Sequence, residues 1–408
     1  MSAAEATIIP DHVPPDLVSD FNFYTSPGMA AQAGGDPHLA LKALRDGPRI
    51  FYAPNNTRDL QGTWVLTHIE DMREVLQNSE VFSSHRAIFS SAVGETWPMI
   101  PLELDPPMHT AFRSMLNPLL SPKRVVALEE SVRARAVELI ESFRVGGSCE
   151  VMSQFAFPFA VSIFLQFLGL PQDRMNEFLG WATNLLHPKQ PSDRLEAAKA
   201  VIAFLDDLAE KRRSEPTDDF VSFVVQSEVE GRKLTNLEVR GMTVLLFIAG
   251  LDTVAAAIGF DLSHLARHPD AQQQLRDDPE LIREAVEEML RAYSTVQMIR
   301  TAKVDTELAG VQIKAGDLVC CPSMVANRDP SEYPDPDKVD FGRNANRHMA
   351  FAYGVHRCLG SHLARRELII ALEEWFARIP EFRVMPGAAP VAHGGFVFGV
   401  DSLKLVWT

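Results

Sequence analysis

A mainly α-helical fold with a minor antiparallel β portion is predicted by three observations. Helical spacing runs through 120–145, 152–168, 171–185 and 191–213. A long apolar helix follows, and short β-branched runs broken by Gly310 and Gly316 lie between Ala302 and Ser323. The long helix has a capping box, Thr235 as N-cap with Glu238 reaching back, and its pattern persists to His268-Pro269. It would be about 50 Å long at ~1.5 Å per residue, enough to cross a domain. Asp278-Pro279 opens a further helix with a body from Glu280 to about Tyr293. From Asp329 to Arg347, Pro, Asp and Asn dominate and predict irregular coil. A helix begins after Cys358 and carries Leu363, Leu368, Ile369 and Leu372 inward, and Phe382–Trp407 alternates as short strands do.

No linker, repeat or low-complexity run divides the 408 residues. Thirty-nine basic against 54 acidic residues give a formal charge of −15, which argues against nucleic acid as a partner. Four cysteines, two of them adjacent at Cys320 and Cys321, suggest no disulfide framework and point to a reducing cytoplasm. Residues 1–20 are polar and proline-bearing, with neither a basic n-region nor an apolar core, so a flexible segment and no membrane anchor is expected. Met242–Phe260 nearly qualifies as a membrane span. Asp252 in its middle, and the polar continuation to His268, predict a buried helix of a soluble domain instead.

The most informative stretch is Phe351-Ala352-Tyr353-Gly354-Val355-His356-Arg357-Cys358-Leu359-Gly360. Gly354 and Gly360 let amide groups crowd around the Cys358 sulfur. Those donors and the positive end of the next helix favour a thiolate, which suits a metal needing strong axial donation, as haem iron does. On its own Cys358 could equally be a small buried hydrophobe. The decamer is similar to the haem-binding loop of the cytochrome P-450 superfamily, Phe-x-x-Gly-x-His/Arg-x-Cys-x-Gly, with Ala352 where many members have Gly. Zinc is the competing use of His348, His356, Cys358 and His362, but no Cys-x-x-Cys is present and the spacings fit no common zinc site.

The resemblance implies one haem-thiolate monooxygenase domain over 21–408, a triangular prism with a long central helix, of the soluble bacterial type. Haem b would be held by Cys358 as its metal ligand, with Gly360 in the same loop. In Ala249-Gly250-Leu251-Asp252-Thr253, two small residues leave room for a flat ligand and a diatomic molecule. Asp252 and Thr253 resemble the family's acid–alcohol pair, which delivers protons during oxygen activation. Their ordinary alternatives are a buried ion pair and a hydroxyl bonded to the carbonyl four residues back. Glu288 and Arg291 read as a surface pair by spacing alone. As the family's Glu-x-x-Arg motif they would be buried, joined by Arg343, and structural. His109, Arg113, Arg300 and His356 are candidates for the haem propionates, because buried carboxylates need cations and donors.

Within the superfamily the likeness is to the soluble camphor-hydroxylase group, on Gly250–Val254, Cys358–Trp375 and the ending Gly395–Trp407. Trp97 falls where that group has a tyrosine that holds the substrate ketone, which makes camphor itself a poor expectation. Phe89, Leu245, Ile248, Val296, Phe396 and Val397 are the other candidate substrate contacts, with ordinary core as their alternative. A compact hydrophobic substrate of terpenoid or norisoprenoid type follows. No flavin or Rossmann fingerprint is present, so a [2Fe–2S] ferredoxin fed by a separate reductase is the expected electron donor. Arg73, Arg113, Arg357, Arg365 and Arg366 could form its basic docking face. A monomer is expected, without membrane or nucleic-acid partners. A peroxide-using haem-thiolate enzyme and a non-enzymatic haem sensor or ligand carrier are the alternatives.

Overall fold

The computed structural model describes residues 9–26, 28–29, 36–56, 62–85, 88–91, 93–186, 190–344 and 347–408. Helices dominate, as expected. The four predicted segments become Pro122–Val126 with Glu129–Arg144, Phe157–Leu168, Met175–Leu186 and Pro191–Ser214. Asp278-Pro279 opens a short 3-10 turn, Pro279–Leu281, that leads into helix Ile282–Ala292. The main sheet has five strands in the order Ile50–Ala53, Thr63–Leu66, Leu318–Pro322, Gln297–Ala302 and Phe82–Ser83. Its pairings are antiparallel except one: Leu318–Pro322 runs parallel to Thr63–Leu66. Hairpin chemistry cannot make that pair, because parallel strands need a long crossover. Phe382–Val384, Val391–His393, Gly399–Ser402 and Lys404–Trp407 supply the small C-terminal sheets.

The expected unbroken central helix is corrected. It is two helices, Asn236–Ala249 and Thr253–Leu265, separated by a turn at 250–252. The capping box at Thr235 and Glu238 is present. At the break Leu251 N–H bonds the carbonyl of Ile248 (3.3 Å), a tightened turn, and regular bonding resumes from Ala256 to Asp252 (2.8 Å). The Thr253 hydroxyl donates to the Ala249 carbonyl (3.3 Å), the acceptor that a regular helix would give to the Thr253 N–H. Hydrophobic periodicity continues across the turn, so it carries no sign of it.

Two apolar cores meet at this turn. One is helical and contains Trp97, Phe112, Phe164, Phe178, Phe247 and Leu251. The other takes the sheets and the second half-helix, from Val254 through Phe260 to Leu265, with Trp64, Trp375 and Phe398. The Cys358 loop straddles them too: Ala352 and Tyr353 pack on the second, Leu359 on the first. By length and composition Asn236–Leu265 could cross a membrane, but 67% of its most apolar stretch is buried inside the domain.

Glu367, on helix Ser361–Arg378, is 3% exposed, and burial pushes its carboxyl up to about 8. A raised carboxyl contributes stability that is full below the unfolded value near 4.5 and is lost as pH climbs through 8. Urea unfolding at pH 5 and pH 8 should therefore show Glu367→Gln gaining on wild type with pH. Within that window the gain is roughly 1.4 kcal/mol per pH unit.

Candidate active site

The Cys358 loop is built on two left-handed residues. Gly354 has φ +69°, and a Cβ there would lie 2.4 Å from the Leu76 carbonyl oxygen, so only glycine fits. Ala352 has φ +60°, which explains why glycine suits that position and shows that alanine pays steric strain of about 1 kcal/mol. Gly360, by contrast, has an ordinary φ of −81°, so its expected conformational freedom is not used. Its N–H instead bonds the Cys358 sulfur, while the Cys358 N–H bonds the Phe351 carbonyl (2.8 Å).

Burial raises the Cys358 thiol above its ordinary value, outweighing that amide and the charges of Arg113, Arg357 and Arg365. Without a metal ion burial holds the proton on the sulfur; a cation bound there would add the charge that favours the thiolate expected from the loop. Cys358 is nonetheless solvent-accessible. Both observations hold if the sulfur has protein on most sides and open space on one. Ala249, at the end of helix Asn236–Ala249, is accessible too.

His109, Arg113, Arg300 and His356 come together as predicted. The rings of His109 and His356 are 4.0 Å apart. Burial, followed by Arg113 and Arg300, lowers His109 to about 4; burial, followed by Arg300, lowers His356 to about 3. His356 bonds Ser84 Oγ (3.0 Å) and Arg113 the Arg357 carbonyl (2.7 Å). Among the described residues the side chain of Arg300, 6% exposed, bonds only its neighbour's carbonyl, Ile299 O (3.0 Å). Asp105, whose charge reaches Arg300 and His109, is held by Ser83 Oγ (2.6 Å) and Ser84 N–H (2.9 Å). Among the described residues none of the four has an ion-pair partner, and both ring nitrogens of buried His109 lack a hydrogen bond. Repelling cations and orphaned donors buried together fit two propionates. Together with an accessible sulfur in an enclosed space, the residues present fit haem.

Asp252 is buried and Thr253 half-buried at the turn between the half-helices. Gly250 serves a different purpose from the one predicted. A Cβ there would meet the Phe164 ring at 2.2 Å, so the space it leaves belongs to a protein side chain. Ala249 is the member of the pair that looks onto open space.

Glu288, Arg291 and Arg343 are joined. Arg291 donates to both carboxylate oxygens of Glu288 (2.7 and 2.8 Å), and Arg343 Nε donates to Glu288 Oε1 (3.1 Å). Arg291 also donates to the carbonyls of Asn327, Pro336 and Lys338, and Arg343 to those of Pro334, Asp335 and Lys338, so the coil before the haem loop hangs on two guanidinium groups.

Of the candidate substrate contacts, Val296 and Val397 face each other across a β-bridge. Ile248 packs on the helical core that contains Trp97, and Leu245 is half-buried. Phe396 is 47% exposed. The side chain of Phe89 lies outside the described residues. The expected basic face is largely neutralised: Arg73 pairs with Glu332 (2.9 Å), Arg365 with Glu287, and Arg366 with Glu129 (2.6 Å). Arg357 alone of the five is exposed. His348, a zinc candidate, lies 3.1 Å from Glu287. Sequence reasoning missed Ser84 and Phe164, which belong to no motif and act through contacts distant in the chain.

The Cytochrome P-450 family model matches residues 179–387. A probable cytochrome P-450 127A1 of Sinorhizobium fredii is 56% identical over 98% of this chain and 97% of its own. The crystal structures of CYP101J2 and CYP101C1 superpose with a TM-score of 0.88 each, at 34% and 36% identity, over 98% of this chain and all of theirs. With the fold, the Cys358 loop and these likenesses in agreement, the chain belongs to the cytochrome P-450 family of monooxygenases, with haem b as cofactor and a cysteine thiolate as its axial ligand.

Proposed function

We propose that the protein hydroxylates a compact hydrophobic substrate of terpenoid or norisoprenoid type in the cytoplasm. It acts as a monomer and takes two electrons from a [2Fe–2S] ferredoxin served by a separate reductase. The observation that carries the reading is the helix turn at 250–252, which sets an acid and an alcohol at the junction that the Cys358 loop also spans. Haem, when bound through Cys358, supplies the activation of dioxygen. Arg113, Arg300, His109 and His356 hold its propionates. Thr253 Oγ1 delivers a proton, and the buried Asp252 carboxyl renews it through water. Leu245, Ile248, Val296 and Val397 orient an apolar substrate and keep water out. Arg357, exposed beside the sulfur, gives an acidic ferredoxin its first contact.

Titrating the ferric protein with a terpenoid panel should shift the Soret band for at least one compact member; a flat response to the whole panel would count against the substrate class. In Thr253→Ala, oxygen uptake should continue with hydrogen peroxide released in place of most of the product, a loss of about 10²-fold in coupled turnover. Unchanged coupling would remove Thr253 from the proton path. Activity with peroxide but none with any ferredoxin would favour the peroxide-using reading.

A further inference from the structure

Neighbouring carboxylates on helix Ile282–Ala292 serve different partners. Glu288 meets Arg291 and Arg343, whereas Glu287 receives Arg365 from helix Ser361–Arg378 and His348 from the coil before the Cys358 loop. Arg365 forks onto both oxygens of Glu287, with Nη2 reaching Oε2 at 3.0 Å. The Ala350 N–H bonds His348 Nδ1 (3.1 Å), so Nε2 carries the hydrogen and donates to Glu287 Oε2 (3.1 Å). Burial opposes ionisation of Glu287, yet these two donors hold its carboxyl down at about 2. So fixed, the guanidinium of Arg365 sits 4.4 Å from the centre of the Phe351 ring, a cation–π contact. Phe351 is the residue whose carbonyl takes the Cys358 N–H (2.8 Å).

We propose that Glu287 and Arg365 set the reduction potential of the bound haem. Arg365 is the cation that weakens electron donation by the sulfur, and Glu287 is the positioning residue that holds Arg365 on Phe351 and moderates its charge. Three cations act on the Cys358 sulfur: Arg113, Arg357 and Arg365. Among the described residues only Arg365 of these has a carboxylate partner, so its charge alone is partly offset. Reduction adds negative charge to an iron already facing an anionic sulfur. A nearby cation therefore favours the ferrous state, and a nearby carboxylate opposes it. Arg365 and Glu287 are each 22% exposed, so salt screens them incompletely.

The test is a redox titration of the haem-loaded protein in wild type, Glu287→Gln, Arg365→Gln and the double variant. Haem content and the carbon monoxide spectrum report that axial ligation is intact in each. Glu287→Gln keeps an acceptor for Arg365 while removing the charge. It should move the ferric–ferrous equilibrium about tenfold toward ferrous, 59 mV for one electron. Arg365→Gln leaves Glu287 unopposed and should move it about tenfold the other way. The double variant, with both charges gone, should return close to wild type. A loop that is merely loosened would shift both single variants in one direction. That result, or shifts below about twofold in both, overturns the proposal. Should Arg365→Gln fail to retain haem, the sign of the Glu287→Gln shift decides, and a move toward ferric overturns it.

Discussion

Replacing Cys358 by Ser should abolish the red-displaced Soret band of the carbon-monoxide-treated ferrous protein and reduce product formation below detection. The sulfur is accessible, the loop places it by the Phe351 carbonyl, and the Gly360 amide points at it. A serine oxygen keeps that geometry with a far weaker, harder donor. The loop fold depends on Ala352 and Gly354, not on the sulfur, so the variant should remain folded and bind some haem. Absorption spectra of the reduced, carbon-monoxide-treated variant decide the matter. An unaltered band would place the axial ligand elsewhere.

Arg291→Ala should be the most destabilising single change outside the haem loop. Arg291 and Glu288 are both fully buried, and all five bonds made by the guanidinium go to Glu288 or to carbonyls of Asn327, Pro336 and Lys338. Its removal leaves a buried carboxylate facing only Arg343 and an amide, and takes the Arg291 donor from the carbonyls of Asn327 and Pro336, while Lys338 keeps Arg343 (3.3 Å). Breaking a buried pair from one side costs about 3–5 kcal/mol, a large share of a protein's net stability. Haem content and the midpoint of urea unfolding should both collapse. A variant that kept full haem and lost under about 1 kcal/mol would reduce the triad to a surface-like pair.

Much of the site was legible because its residues are close in the chain. The Cys358 decamer, the Glu288–Arg291 spacing and the His109–Arg113 spacing are local patterns, and the structure brings each set together. What escaped is set by contacts across the chain or by the balance of opposing terms. The break at 250–252 keeps its apolar period, and its signs are hydrogen bonds: the Leu251 N–H on the Ile248 carbonyl and the Thr253 hydroxyl on the Ala249 carbonyl. Gly250 is glycine on account of Phe164, 86 positions earlier in the numbering. Arg73, Arg365 and Arg366 read as free charge until Glu332, Glu287 and Glu129 arrive from elsewhere.

The two cores differ in how they draw on the chain. The helical one uses residues from Trp97 to Leu251, whereas the other gathers residues from Val13 to Trp407. During synthesis the first can therefore condense while most of the C-terminal third has yet to be made. The second, with its parallel strand at Leu318–Pro322, must wait for long-range loop closure. Nascent chains halted once Leu251 has cleared the ribosome should resist protease over the helical half alone, and haem capture becomes a late event that follows release of the terminal strands.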